Sequence, residues 1–139
     1  MGMLQTMKMV GLAGMLLSGL PAQAAELLMF ESPGCHWCAK WHAEVGPAYP
    51  KSAEGQQAPL RVVQLSAAAS LGVALAAPVT ATPTFVLIDG GGETGRIVGY
   101  PGADFFWGLF EQLLKKLPPA PAAPLQQRAD AVAVVRPAL

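Results

Sequence analysis

Two spacings of hydrophobic residues alternate along the chain, and each predicts a different secondary structure. Short apolar runs that are rich in β-branched and aromatic residues and bounded by turn formers are typical of strands. Such runs lie at 26–30, 60–65, 84–88 and 95–100. Helices are expected between and after them, at 35–45, 67–75 and about 104–117.

The last helix has the clearest pattern. Its apolar side chains fall on one helical face, at Phe106, Leu109, Phe110, Leu113, Leu114 and Leu117. Asp104 near its start and Lys115 and Lys116 near its end suit the helix dipole. Because the opposite face is not strongly basic, we interpret the stripe as part of the core and not as a membrane-binding face.

The predicted elements follow one another in the order βαβαββα. An Asp-Gly-Gly-Gly turn at 89–92 separates the last two strands, and its glycines can adopt the positive φ angles of a tight hairpin. Alternating strands and helices followed by a hairpin and a final helix predict an α/β fold, with a mixed sheet flanked by helices on both faces.

Both ends of the chain differ from the predicted domain. Residues 1–24 combine one cation, Lys8, with the apolar run 9–20 and an Ala-x-Ala end, which is typical of a cleaved secretory signal peptide. The alternative is a retained anchor, but the 12-residue run is shorter than the ~20 residues that a membrane span needs. We expect the domain at 25–117 and a Pro/Ala-rich tail at 118–139, either disordered or a docking segment for a partner.

The charge balance excludes one class of partner. Removing Lys8 from the 9 basic residues leaves 8, against 9 acidic residues, so the exported part has a net charge of about −1. No run of Lys or Arg interrupts this balance. Nucleic acids and anionic membranes are therefore not expected as partners.

The chain has two cysteines, Cys35 and Cys38, at the start of the first predicted helix. Thiols at i and i+3 on one helical turn can close a disulfide with little backbone movement. The partial positive charge of the helix N-terminus favours a thiolate on Cys35, and the thiolate is the nucleophilic form. A ring that encloses two residues is a poor structural staple. The pair therefore predicts dithiol–disulfide exchange, with Cys35 attacking and Cys38 resolving.

Three neighbouring residues are candidates for a role at this site. A protonated His36 would favour the Cys35 thiolate, although it could equally be an exposed polar residue with little effect. Trp37 is expected either to form an apolar rim that meets partner proteins or to pack on the domain surface. His42 could complete a metal site with the cysteines, but two histidines are too few for a closed tetrahedron, and no metal is predicted.

Three segments together resemble the thioredoxin fold over about 26–117. They are the strand–turn–Cys-x-x-Cys–helix at 26–45, the Ala-Thr-Pro-Thr-Phe-Val-Leu-Ile run at 81–88, and the Val-Gly-Tyr close of the hairpin before the last helix. In detail, Ser-Pro-Gly-Cys-x-x-Cys, Thr-Pro-Thr-Phe-Val-Leu and Gly-Tyr-Pro-Gly-x-Asp-Phe-Phe-Trp resemble periplasmic thioredoxin-like proteins of bacterial sulfur-oxidation (Sox) systems. The His-Trp pair between the cysteines departs from the Gly-Pro of ordinary thioredoxins.

The resemblance implies a monomeric periplasmic thiol–disulfide oxidoreductase that keeps partner thiols reduced, such as those of a sulfur-carrier protein. It implies protein thiols and disulfides as substrates, a membrane thiol transporter as electron donor, and no bound cofactor, since the cysteines carry the electrons. The alternatives are a disulfide oxidant or isomerase, and a non-catalytic binding or regulatory module.

The resemblance also assigns roles around the cysteines. It implies a cis Pro83 that faces the disulfide, and a Thr82 backbone free to pair with an extended substrate segment. An ordinary trans proline at a strand start is the alternative. Glu31 and Glu44 are both candidates for proton transfer to Cys38, and the sequence does not choose between them.

Overall fold

The structure is a computed structural model that describes residues 24–119. The predicted signal peptide (1–24) and tail (118–139) lie outside these residues, apart from Ala24, Pro118 and Pro119. Within the described range, no helix is both long and apolar enough to cross a membrane.

Four strands form one mixed sheet: β1 (Glu26–Glu31), β2 (Leu60–Gln64), β3 (Thr84–Asp89) and β4 (Gly92–Val98). Their order across the sheet is β2-β1-β3-β4. β1 pairs in parallel with β2 and antiparallel with β3, and β3 forms an antiparallel hairpin with β4. β1 and β3 are therefore the central strands, and their apolar runs are continuous because both of their faces are covered.

The helical elements are α1 (His36–Glu44), α2 (Ala53–Gln57), α3 (Ala103–Leu114) and two 3₁₀ helices at Tyr49–Lys51 and Leu65–Ser70. The hydrophobic pattern did not predict α2, which has five residues. Its cap explains why it forms, since the Ser52 hydroxyl accepts a hydrogen bond from the Gly55 N–H at 2.9 Å.

Alternate residues of the central strands point to opposite faces of the sheet. One face packs against α1 and α3 in a core that includes Leu27, Met29, Trp41, Phe85, Phe106 and Phe110. The other face places Leu28, Phe30, Val86 and Ile88 beneath the 3₁₀ helix Leu65–Ser70 and the segment after it. The prediction of an α/β fold with a mixed sheet is confirmed.

The helix predicted at 67–75 is wrong. The chain forms the 3₁₀ helix Leu65–Ser70 and then an irregular segment, in which Ala74 makes an isolated parallel bridge to Gly92. Gly72 has a φ of +69°, a left-handed conformation that interrupts an α-helix. The alanines of this segment also bury little apolar area, so packing does not enforce a regular helix there.

The predicted apolar stripe of the last helix is partly wrong. Phe106, Phe110, Leu113 and Leu114 are buried, but Leu109 is 40% exposed. The buried arc is centred on the other four side chains, and the helical rotation places Leu109 at the edge of that arc. The sequence spacing could not show which side of the stripe faces the sheet.

Candidate active site

The two cysteines lie where β1 gives way to α1. A tight turn joins the two elements, with the Cys35 N–H donating to the Ser32 carbonyl at 3.2 Å. Gly34 occupies this turn with a φ of +74°, a conformation that L side chains rarely adopt. The turn places Cys35 at the N-cap of α1 and Cys38 inside its first turn.

Cys35 and Cys38 are joined by a disulfide bond. The Cys35 sulfur accepts a hydrogen bond from the Cys38 N–H at 3.2 Å, as an N-cap side chain does. Cys35 is half-buried, whereas Cys38 is only 3% exposed. The sulfur that solvent and a partner can reach is therefore that of Cys35, and it lies against the positive end of the helix.

A second loop lies beside the cysteine turn. The Thr82–Pro83 peptide bond is cis, and Pro83 is buried at the start of β3. The hydroxyls of Ser32 and Thr82 are hydrogen bonded at 2.8 Å, which ties this loop to the turn before Cys35. The sequence analysis missed this role of Ser32, because Thr82, the partner of its hydroxyl, lies 50 positions further along the chain.

A third segment, the loop between β4 and α3, joins the same end of the sheet. The Gly99 N–H donates to the Pro83 carbonyl at 2.7 Å. Nearby, the Tyr100 hydroxyl donates to a Glu44 carboxylate oxygen at 2.7 Å, linking the loop to the end of α1. Burial and the Glu44 carboxylate raise the pKa of the Tyr100 hydroxyl above its ordinary range, so this hydroxyl stays a donor.

The two residues between the cysteines are exposed. Trp37 is 51% exposed, and the His36 ring meets it edge-on with centroids 5.5 Å apart. The Lys40 ammonium lies 5.3 Å from the centre of the Trp37 ring. Trp37 thus offers an apolar surface next to the disulfide, flanked by two polar side chains.

An open groove of about 430 Å³ runs beside the disulfide. It is lined by Glu31, Ser32, Gly34, Cys35, His36, Cys38, Ala39 and His42. Within it, a Glu31 carboxylate oxygen lies 2.9 Å from the His42 Nε2. The two glutamates that the sequence offered for proton transfer are therefore separated, since Glu31 lines the groove and Glu44 pairs with Tyr100.

The cysteines and histidines do not assemble a metal site in the described part of the chain. No group of three or more His, Cys, Asp or Glu residues between 24 and 119 could hold a metal ion. His42, the residue considered for this role, is paired with Glu31.

The fold and the site define a class of protein, one that presents a Cys-x-x-Cys disulfide at a helix N-terminus beside a cis-proline loop. The family model described as "Thioredoxin-like domain" matches residues 22–114. The chain belongs to this thioredoxin-like family, and with its Cys35–Cys38 pair it is a thiol–disulfide oxidoreductase.

Two solved structures are similar to this chain. The periplasmic thioredoxin SoxS from Paracoccus pantotrophus, in its reduced form, is 50% identical, with a TM-score of 0.64. The alignment covers 66% of this chain and 97% of that chain. The Fasciola hepatica thioredoxin is 25% identical over 63% of this chain and 79% of its own, with a TM-score of 0.48. A search of curated proteins found no match.

Proposed function

We propose that the protein acts in the periplasm as a dithiol reductant that keeps the thiols of a partner protein reduced. The observation that carries the exchange chemistry of this proposal is the contrast between the two sulfurs. The Cys35 sulfur is reachable and accepts a hydrogen bond from the Cys38 N–H. The Cys38 side chain is buried behind it. A reachable thiolate at a helix N-terminus with a protected second thiol is suited to a two-step exchange.

In the first step, the Cys35 thiolate attacks a disulfide of the partner protein. A mixed disulfide forms, and one partner sulfur leaves as a thiolate. In the second step, the Cys38 thiolate attacks the Cys35 sulfur and releases the second partner thiolate. The protein ends with the Cys35–Cys38 disulfide, and the partner gains two electrons and, from solvent or protein groups, two protons.

The surface around Cys35 supports binding of a protein segment. Trp37 supplies an exposed apolar side chain, a residue type that is enriched at interfaces. The Thr82–Pro83 loop lies beside the cysteine turn, and we propose that the Thr82 backbone pairs with an extended substrate strand. His36, as an exposed neighbour of Cys35, would modulate the thiolate.

The partner and the direction rest on similarity to one relative. The Paracoccus periplasmic thioredoxin SoxS is aligned over 97% of its length at 50% identity. We therefore propose a thiol protein of sulfur oxidation, such as a sulfur carrier, as substrate. A membrane thiol transporter would return electrons to Cys35 and Cys38, and export through residues 1–24 would place the protein beside it.

The reduction potential of the Cys35–Cys38 pair tests the direction. Redox titration can be followed by the fluorescence of Trp37, which lies between the two cysteines, and of Trp41, one turn further along α1. We expect a potential of roughly −200 to −270 mV, the range of thioredoxin and glutaredoxins. A potential near roughly −120 mV would identify an oxidant and overturn the proposed direction. The double variant Cys35→Ser/Cys38→Ser is the control, and partner activity that survives it would indicate a non-catalytic binding module.

A further inference from the structure

The buried thiol poses a chemical requirement. Cys38 must lose a proton before it attacks the mixed disulfide, because the thiolate is the nucleophile. Cys38 is 3% exposed, so water reaches it poorly. Among residues 24–119, Thr84 is the one polar or charged residue that is buried as a whole. The Glu93 side chain is 4% exposed, but its carboxylate is bound by Arg96 and the Ala76 N–H, so it is not free to take the proton.

The groove side of the disulfide does offer such groups. The titratable side chains that line the groove beside the cysteines are Glu31, His36 and His42. Of these, His42 follows Cys38 by four residues on α1, so the two side chains lie on the same helical face, one turn apart. Their β-carbons are therefore about 6 Å apart, within reach of a proton transfer directly or through one water.

His42 is held in place by a chain of side chains from three elements. Glu31, at the end of β1, has one carboxylate oxygen 2.9 Å from the His42 Nε2. Its other carboxylate oxygen accepts a hydrogen bond from the Gln64 Nε2, on β2, at 3.1 Å. An ionised Glu31 accepts from the His42 Nε2–H, which leaves the lone pair on Nδ1 free to take a proton. A base that a carboxylate orients is the arrangement that activates nucleophiles in many enzymes.

We propose that His42, oriented by Glu31, takes the proton from the Cys38 thiol in the second step of exchange. The S–H proton moves to the His42 Nδ1, and the Cys38 sulfur forms the bond to the Cys35 sulfur. The bond between Cys35 and the partner breaks, and the partner sulfur leaves as a thiolate. The imidazolium, stabilised by Glu31, then returns its proton to that thiolate or to solvent. Glu31 is a positioning residue in this scheme.

A pH test of this proposal depends on the titratable and polar groups around His42. β1 contributes Glu31, β2 contributes the neutral Gln64, and α1 contributes His36 in the same groove. A thiol with an ordinary pKa of about 8.5 is roughly 3% ionised at pH 7. If a base ionises this thiol fully, loss of the base would slow the second step by up to about thirtyfold at pH 7. The difference between the variant and wild type would vanish at pH values above the pKa of the thiol, where the thiol ionises unaided.

Stopped-flow reaction of the reduced protein with the aromatic disulfide dithiobis(nitrobenzoate) separates the two steps. The first coloured thiolate reports attack by Cys35, and the second reports attack by Cys38 on the mixed disulfide. For His42→Gln we expect an unchanged first phase and a second phase about tenfold to thirtyfold slower at pH 7, with the gap closing by about pH 10. Glu31→Gln should slow the same phase by a smaller factor.

Two variants serve as controls. Glu26→Gln removes the Arg61–Glu26 ion pair, which also joins β1 to a neighbouring element but lies at the other end of the strand. It should leave both phases unchanged. His36→Gln removes the other groove histidine, which neighbours Cys35, so it should act on the first phase and not on the second. If His42→Gln folds poorly, as judged by its unfolding temperature, Glu31→Gln carries the test.

Three results would overturn the assignment. One is a second phase in His42→Gln that matches wild type at pH 7. Another is slowing by His36→Gln in place of His42→Gln, and the third is slowing that persists unchanged at pH 10, which marks a structural disturbance. The inference rests on the dithiol chemistry of the proposed function, but the two fail separately. If His42 is not the base, the reduction potential and the first phase remain as expected. If the proposed direction of exchange is wrong, only the reduction potential differs from the expected value.

Discussion

Ser32 and Thr82 are hydrogen bonded through their hydroxyls at 2.8 Å, although 50 positions separate them in the chain. The bond connects the turn that presents Cys35 with the loop that contains the cis peptide bond of Pro83. These are the two segments that a substrate strand would contact at the same time. Their relative position is therefore held by a side-chain contact as well as by the sheet.

Replacing Ser32 by alanine should loosen the connection between the two loops. We expect Ser32→Ala to lower the free energy of unfolding by about 1 kcal/mol, since one partly buried hydrogen bond is lost. In this variant, reduction of a protein disulfide should slow more than reduction of a small disulfide, because only the protein substrate contacts both loops at the same time. Ser70→Ala, which removes an exposed hydroxyl bond to the Ala67 carbonyl, is the matched control. Equal slowing with both substrates would contradict the idea.

Single replacements of the two cysteines should have different products. Cys38→Ser should accumulate a mixed disulfide with a partner protein, because Cys35 attacks and nothing resolves the product. Cys35→Ser should accumulate little, since Cys38 is 3% exposed. Non-reducing electrophoresis with mass spectrometry measures both species. A stable adduct on Cys38 in the Cys35→Ser protein would reverse the assigned order.

The two tryptophans of α1 should separate stability from recognition. Trp41 is fully buried against Tyr49, Phe85 and Phe106. Trp41→Ala should therefore cost about 3–5 kcal/mol of unfolding free energy, measured by urea titration.

Trp37 is the contrasting case on the same helix. It is 51% exposed, so Trp37→Ala should change stability by no more than about 0.5 kcal/mol and should weaken partner binding. A large stability loss in Trp37→Ala would contradict the exposed placement.

The indole Nε1 of Trp41 has no hydrogen-bond partner, so Trp41→Phe should cost less stability than Trp41→Ala for two reasons. Phenylalanine keeps most of the ring volume, and it removes an unpaired donor.

Acid should weaken the hairpin through one ion pair. Hydrogen bonds from the Arg96 guanidinium hold the pKa of Glu93 below its ordinary value of 4.5, against partial desolvation, and the Ala76 N–H adds a further bond. The pKa of Glu93 is lower in the folded protein than in the unfolded chain. The contribution of the pair to stability is therefore complete above pH 4.5 and is lost as pH falls through the folded value.

Glu93→Gln tests this contribution. We expect it to lower the free energy of unfolding at pH 7 by about 1.5–3 kcal/mol, the range for bonds to a charged group, because the Glu93 side chain is only 4% exposed. Its stability should then depend less on pH below about 4.5 than that of wild type. Glu111→Gln, which breaks an exposed pair with Lys115, should change stability by less than about 0.5 kcal/mol. Identical acid profiles for wild type and Glu93→Gln would refute the assignment.

The sequence alone predicted those features that local patterns encode. The apolar runs of β1 and β3 indicate buried strands because central strands need apolar residues on both faces. The position of Cys35 and Cys38 between a strand and a helix indicates an exchange site, because the helix terminus and the short spacing act within a few residues. The same locality made most of the α3 stripe predictable.

Tertiary structure decided the features that join distant parts of the chain. The chain from Gln64 through Glu31 to His42 exists because the parallel register places Glu31 opposite Gln64 and because α1 turns back over the end of β1. Likewise, the 3₁₀ helix Leu65–Ser70 forms where the sequence favoured an α-helix, since alanines do not determine how a segment packs. Hydrophobic periodicity specifies which residues are buried, but strand order and register determine which polar side chains meet.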